Sequence, residues 1–169
     1  PQPSAPDPMS RTHDFLDQVQ RLLDGDPWYG DPILRVLEGV THDQAAQRPI
    51  ADGHSIWELV LHITTWIREV NRRLKHGDWQ EPADGDWPVP SDPTAANWRA
   101  AVSRLEEAHR TLIATLESFP ASRLDEPLGT ERNQALGTGQ TYAQMLQGIL
   151  QHDAYHLGQI GILKKGVKK

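Results

Sequence analysis

Between Ser55 and Lys75 the apolar residues Ile56, Leu59, Ile63, Trp66, Ile67 and Val70 recur at the three- and four-residue spacing that lines one face of an α-helix. A stripe of this kind has to be buried against another element, so it points the chain toward helical packing. Ser55 followed three residues later by Glu58 is a capping-box pattern that sets the start of the helix. One position on the stripe is not apolar. His62, three residues after Leu59 and four before Trp66, would face inward.

The last helical segment repeats the anomaly. Thr141 and Gln144 form a capping box opening a helix to about Lys165, and its apolar face runs Met145, Ile149, His152, His156, Ile160 and Leu163. Residues four apart lie above one another on a helix, so His152 and His156 share a face. Inward imidazoles cost desolvation unless they are hydrogen-bonded or bound to metal. A lone one is more often a bonded core histidine. A pair at this spacing facing a third on a neighbouring helix favours a divalent metal held by three protein ligands, His62, His152 and His156, with a position left open.

The rest of the chain supplies the other helices. Ser10 or Thr12 is expected to cap a first helix through Leu23, carrying Phe15, Leu16, Val19, Leu22 and Leu23 inward. Residues 24–32 are dense in turn formers. Asp31-Pro32 reads as cap and first residue of a helix ending near Gly39, and Thr41 with Gln44 caps a short one before Pro49. Asp92-Pro93 gives the same signal for a long helix through Phe119 with Trp98, Val102, Leu105, Leu112, Ile113 and Leu116 as its stripe. Residues 121–140 read as irregular, with a short hairpin around Leu128–Gly139. Gly77–Pro93, rich in Pro, Gly, Asp and Trp, is a loop long enough to suggest function, and its Trp79 and Trp87 are candidates to wall or cover the site. The expected fold is all-α, a four-helix bundle with its site between facing helices. Residues 10–169 form one domain, preceded by a Pro-rich leader, residues 1–9, expected to be extended or disordered.

Composition narrows the function. The chain has no cysteine, so thiolate ligands and disulfides are excluded and a metal site must use histidine or carboxylate. The net charge is -6 with dispersed lysines and arginines, which argues against nucleic acid as a partner. No apolar run reaches membrane-spanning length, so no membrane partner is expected and a cytoplasmic location is the default. Secondary candidates surround the histidines. Asp153 lies between His152 and His156 as the Glu does in H-E-x-x-H metalloproteases, and is a weak candidate general base beside its alternative as a surface or orienting carboxylate. Glu58, one turn before His62, is a second weak candidate, or an orienting partner for that imidazole. Trp66 and Tyr155 are candidate pocket walls. His54 is expected to bond locally near the Ser55 cap, and His13, His42, His76 and His109 are expected to be solvated.

The blocks G-H-S-I-W-E-L-V-L-H-I-T-T-W at Gly53–Trp66, H-D-A-Y-H-L-G-Q-I at His152–Ile160 and W-Y-G-D-P-I-L-R-V-L at Trp28–Leu37 resemble the DinB-like (YfiT-like) metalloenzymes. The resemblance spans about Phe15 to Lys165. It implies an up-down-down-up four-helix bundle, often a homodimer, binding one divalent ion, zinc or nickel, through His62, His152 and His156. Relatives include transferases and isomerases that use low-molecular-weight thiols such as mycothiol or bacillithiol, so the resemblance implies a metal-dependent transferase acting on a small molecule. Metal-assisted hydrolysis with Asp153 or Glu58 as base, and a bundle that binds metal without catalysis, stay open as alternatives.

Overall fold

The computed structural model describes residues 8–90, 92–129 and 139–167. It contains helices α1 (Pro8–Asp24), α2 (Ile33–Leu37), α3 (His42–Ala46), α4 (Ile56–His76), α5 (Ala95–Ser118) and α6 (Tyr142–Gly166), with a 3-10 turn at Ala121–Arg123. Most of the expected leader lies outside the described residues, but Pro8 and Met9 already belong to α1, ahead of the expected caps. Of the expected hairpin, residues 130–138 lie outside the described set. Its base is closed by Leu128 N–H donating to the Gln140 carbonyl at 2.8 Å, beside an isolated bridge between Pro127 and Thr141.

The helix starts follow from local chemistry. Thr41, Ser55 and Thr141 each accept from the backbone N–H three residues on, while Gln44, Glu58 and Gln144 reach back to the cap N–H. At α5 the expected cap moves. The Thr94 hydroxyl, not Asp92, accepts from Asn97 N–H, and the Asp92 carbonyl accepts from Thr94 and from the Asn97 side chain. At α2, Pro32 rather than Asp31 occupies the cap and makes no side-chain bond. Helix α4 stops at Gly77, whose φ of 72° closes the last turn in the left-handed region that favours glycine.

Four long helices form the bundle, α4 packing against α5 and α6, and α1 against the same two. Their directions follow from paired contacts. Trp57 near the start of α4 meets Trp98 near the start of α5, and Asn71 late in α4 accepts a hydrogen bond from Thr115 late in α5, so these two helices run together. Tyr142 at the start of α6 meets Phe119 just past the end of α5, and the Arg110 guanidinium reaches Asp24 at the end of α1 while Arg11 near its start reaches Asp125. Helices α1 and α6 therefore run against α5. The core is a continuous apolar cluster that includes Leu22, Trp57, Ile63, Leu105, Leu112 and Ile160. Among the described residues, no helix is long and apolar enough to cross a membrane.

The loop after α4 is tied down by a buried charge cluster. Glu69 accepts from the Arg73 guanidinium at 2.7 Å and from Arg72 at 2.8 and 2.9 Å, and Arg72 also pairs with Asp78. Burial alone would push the Glu69 carboxyl up, but the hydrogen bonds from Arg72 and Arg73 outweigh it and hold it below its ordinary range. The loop therefore leaves α4 in a fixed direction, and at Asp86 it returns to Trp66, midway along that helix.

Candidate metal centre

His62 from α4 and His152 and His156 from α6 come together. One ring nitrogen from each lies within 4.8 Å of the other two. Both helices face the core with apolar stripes, so a histidine substituted on each stripe projects into the seam between them, where His62 and His156 are buried and His152 half-buried. The ring centroids are 4.5 to 4.9 Å apart.

The second nitrogen of each ring is already engaged, in each case by an oxygen. His62 Nδ1 lies 2.7 Å from the Asp86 carbonyl, His152 Nδ1 lies 3.1 Å from Asp153 Oδ1, and His156 Nδ1 lies 2.6 Å from Gln159 Oε1. A carbonyl, a carboxylate and an amide oxygen can only accept, so each ring carries its hydrogen on Nδ1 and leaves Nε2 as a free lone pair. Two of those lone pairs, His62 Nε2 and His152 Nε2, are 2.9 Å apart. Neutral rings in these tautomers would repel at that distance, and a shared cation removes the repulsion. A proton bridges only two nitrogens, whereas three converging imidazoles suit a divalent ion. Tetrahedral zinc, with bonds of about 2.0–2.1 Å, keeps its nitrogens roughly 3.3 Å apart, between the 2.9 Å of this pair and the 4.8 Å that bounds the set. The donor set fits a metal.

Burial also keeps these rings ready to bind. It is the main cause lowering the pKa of His156, to about 4, and it likewise lowers His62, partly opposed there by the bond to the Asp86 carbonyl. Both rings are thus neutral at pH 7, the form a metal requires.

Each of the surrounding candidates now has a place. Asp153 is only 1% exposed, with Oδ1 on His152 and Oδ2 on His109 Nε2 at 3.0 Å. Burial would raise its pKa, but the bonds from His109 and His152 more than offset that, and it stays a carboxylate. Both of its oxygens are engaged, which suits it to orienting His152. Glu58 does not orient His62. Its carboxylate is held by Ser55 N–H and the Arg48 guanidinium, and the Asp86 backbone does that work instead. Trp66 donates from its indole to Asp86 Oδ1 at 2.7 Å and sets its ring edge-on to His152. Tyr155 lies edge-on to His156 at 5.0 Å with most of its surface in solvent.

Loop 77–93 does reach the site, through one of its two tryptophans. Trp87 stacks flat on His62, centroids 3.8 Å apart and planes within 6°, and His54 stacks on its other face at 3.5 Å. Trp79 sits elsewhere, over Gly129, where an added Cβ would come within 2.9 Å of its ring. His109, expected in solvent, is fully buried against Asp153. A groove of about 790 Å³ lies on the outer face of α6, lined by Tyr29, Arg35, Gly158 and Lys164, and is separate from the histidines. The site is placed by the convergent donors and not by the volume of that groove.

A model of the DinB superfamily matches residues 31–160, which include all three histidines and every residue that bonds them. Comparison with curated proteins and with solved structures gives no match.

Proposed function

The chain belongs to the DinB superfamily, and from that premise we propose that it binds one divalent metal ion, zinc or nickel, through Nε2 of His62, His152 and His156, and works as a metal-dependent transferase with a low-molecular-weight thiol as co-substrate. The observation that carries the metal assignment is the set of three Nδ1 hydrogen bonds, to Asp86, Asp153 and Gln159, which turns all three Nε2 lone pairs free. When bound, the ion supplies Lewis acidity and lowers the pKa of a water or thiol held at its open position.

The chain's own residues hold that position ready. Asp86 and Asp153 fix the ring orientations of His62 and His152 by accepting from Nδ1. Trp87 covers one face of His62 and keeps water from that side, while Trp66 anchors Asp86 so that its carbonyl stays in place. The engagement of the two carboxylates considered as bases weighs against hydrolysis. Asp153 has both oxygens bonded in the core, and Glu58 caps α4, so neither is set to activate water. Hydrolysis is accordingly the less supported alternative.

Elemental analysis of untagged protein, wild type and His62→Ala, tests the metal assignment. One divalent ion per chain, lost in the variant with helicity retained, is expected. No ion in wild type after incubation with zinc or nickel would reject it. A screen of thiols with electrophilic small molecules, run on the loaded protein beside an ester panel, tests the chemistry. Turnover of esters without thiol would favour hydrolysis, and no turnover with either would favour a non-catalytic site.

A further inference from the structure

We propose that His109 is a positioning residue of this centre, acting through Asp153 on His152; the inference rests on the metal assignment above. His109 comes from α5, a helix that supplies no proposed ligand, and it lies 44 residues from Asp153 in sequence. It is 0% exposed. Its position continues the apolar stripe of Leu105, Leu112 and Leu116, where a leucine would pack without desolvation cost. An imidazole there is bonded at both ends, Nδ1 to the Leu105 carbonyl at 2.9 Å and Nε2 to Asp153 Oδ2 at 3.0 Å.

The geometry gives those bonds a use. The Asp153 carboxylate only accepts, so His109 donates to it from Nε2, while the Leu105 carbonyl 2.9 Å from Nδ1 sets the ring plane from its own helix. Nε2 then holds one oxygen of Asp153 while His152 Nδ1 holds the other. A carboxylate torsion is broad and nearly two-fold when unconstrained. Two bonds at opposite oxygens remove that freedom, and the fixed carboxylate dictates which nitrogen of His152 carries the hydrogen. Without His109, Asp153 keeps one partner and can turn, and His152 is no longer confined to the tautomer that leaves Nε2 free. The chain α5–His109–Asp153–His152 thus uses a third helix to aim a ligand that α6 alone would leave loosely set.

The test compares wild type with His109→Phe, which fills the volume but donates nothing, and His109→Gln, which can restore a donor to Asp153. Nitrogen-15 NMR of the metal-free protein reads the His152 tautomer, and competition with a chelator reads zinc affinity. Wild type is expected to show His152 protonated only at Nδ1. His109→Phe is expected to show a mixture of tautomers and about 10- to 100-fold weaker zinc binding, the usual effect of losing an outer partner. His109→Gln should recover most of both. A single Nδ1–H tautomer and unchanged zinc affinity in His109→Phe would overturn the proposal. So would mixed tautomers in wild type, a result that does not depend on any variant folding. If wild type binds no zinc, the metal assignment fails while the tautomer still decides whether His109 positions His152.

Discussion

Replacing Trp87 with alanine should speed the release of bound zinc. The indole is stacked between His54 and His62, at 3.5 and 3.8 Å and within 4° and 6° of parallel, so the substitution removes two ring contacts at once. Aromatic pairs contribute about 0.5–1.5 kcal/mol each beyond area burial, so the two together hold the loop down by about 1–3 kcal/mol. Trp87 remains 36% exposed, which favours the lower half of that range. At 1.4 kcal/mol per factor of ten, the loop would open about 5- to 30-fold more often. The same segment carries the Asp86 carbonyl that orients His62, so each opening also frees a ligand ring. The assay is the first-order rate at which excess chelator strips zinc from the loaded protein, with Trp79→Ala as control because Trp79 packs over Gly129 away from the histidines. A wild-type release rate in Trp87→Ala, or equal acceleration in both variants, would refute a covering role for this ring.

Three other substitutions probe the packing. Glu69→Gln should destabilise the fold by about 3–5 kcal/mol, because it leaves the buried guanidinium of Arg73 without its carboxylate, and thermal unfolding would show it. Since the Glu69 carboxyl is held below its ordinary range, its contribution is present above the unfolded-state value and is lost as pH falls through the lower folded value; wild type should therefore lose stability on acidification more steeply than Glu69→Gln. Leu112→Ala, at a fully buried position between helices, should cost about 2–5 kcal/mol in denaturant unfolding. Thr141→Ala removes the hydroxyl that caps α6 and should cost about 1 kcal/mol, with metal stoichiometry unchanged.

Much of this could be read from residue order, and what escaped has definite physical causes. The helix starts at Thr41, Ser55 and Thr141 were legible because a capping box is a local pattern that closes within four residues. His62, His152 and His156 stood out because each breaks an apolar stripe. Asp86 was invisible as a partner of His62, since it contributes a backbone carbonyl, which any residue has, delivered by loop closure over 24 residues. His109 is a different kind of miss. It lies four residues after Leu105 and three before Leu112, the same inward spacing that marked His62, so the signal was present in the stripe itself. Glu58 could be read either as a partner of His62, one turn away along α4, or as the N3 residue of the Ser55 capping box; its bond to Ser55 N–H and its pairing with Arg48 leave it in the second role.

The most direct test of the central claim is a crystal structure of the zinc-loaded protein with anomalous data at the zinc edge. One peak per chain is expected, bonded to Nε2 of His62, His152 and His156, with the Nδ1 bonds to Asp86, Asp153 and Gln159 kept. Zinc bonded through Nδ1, zinc bound elsewhere, or no peak between α4 and α6 would contradict it.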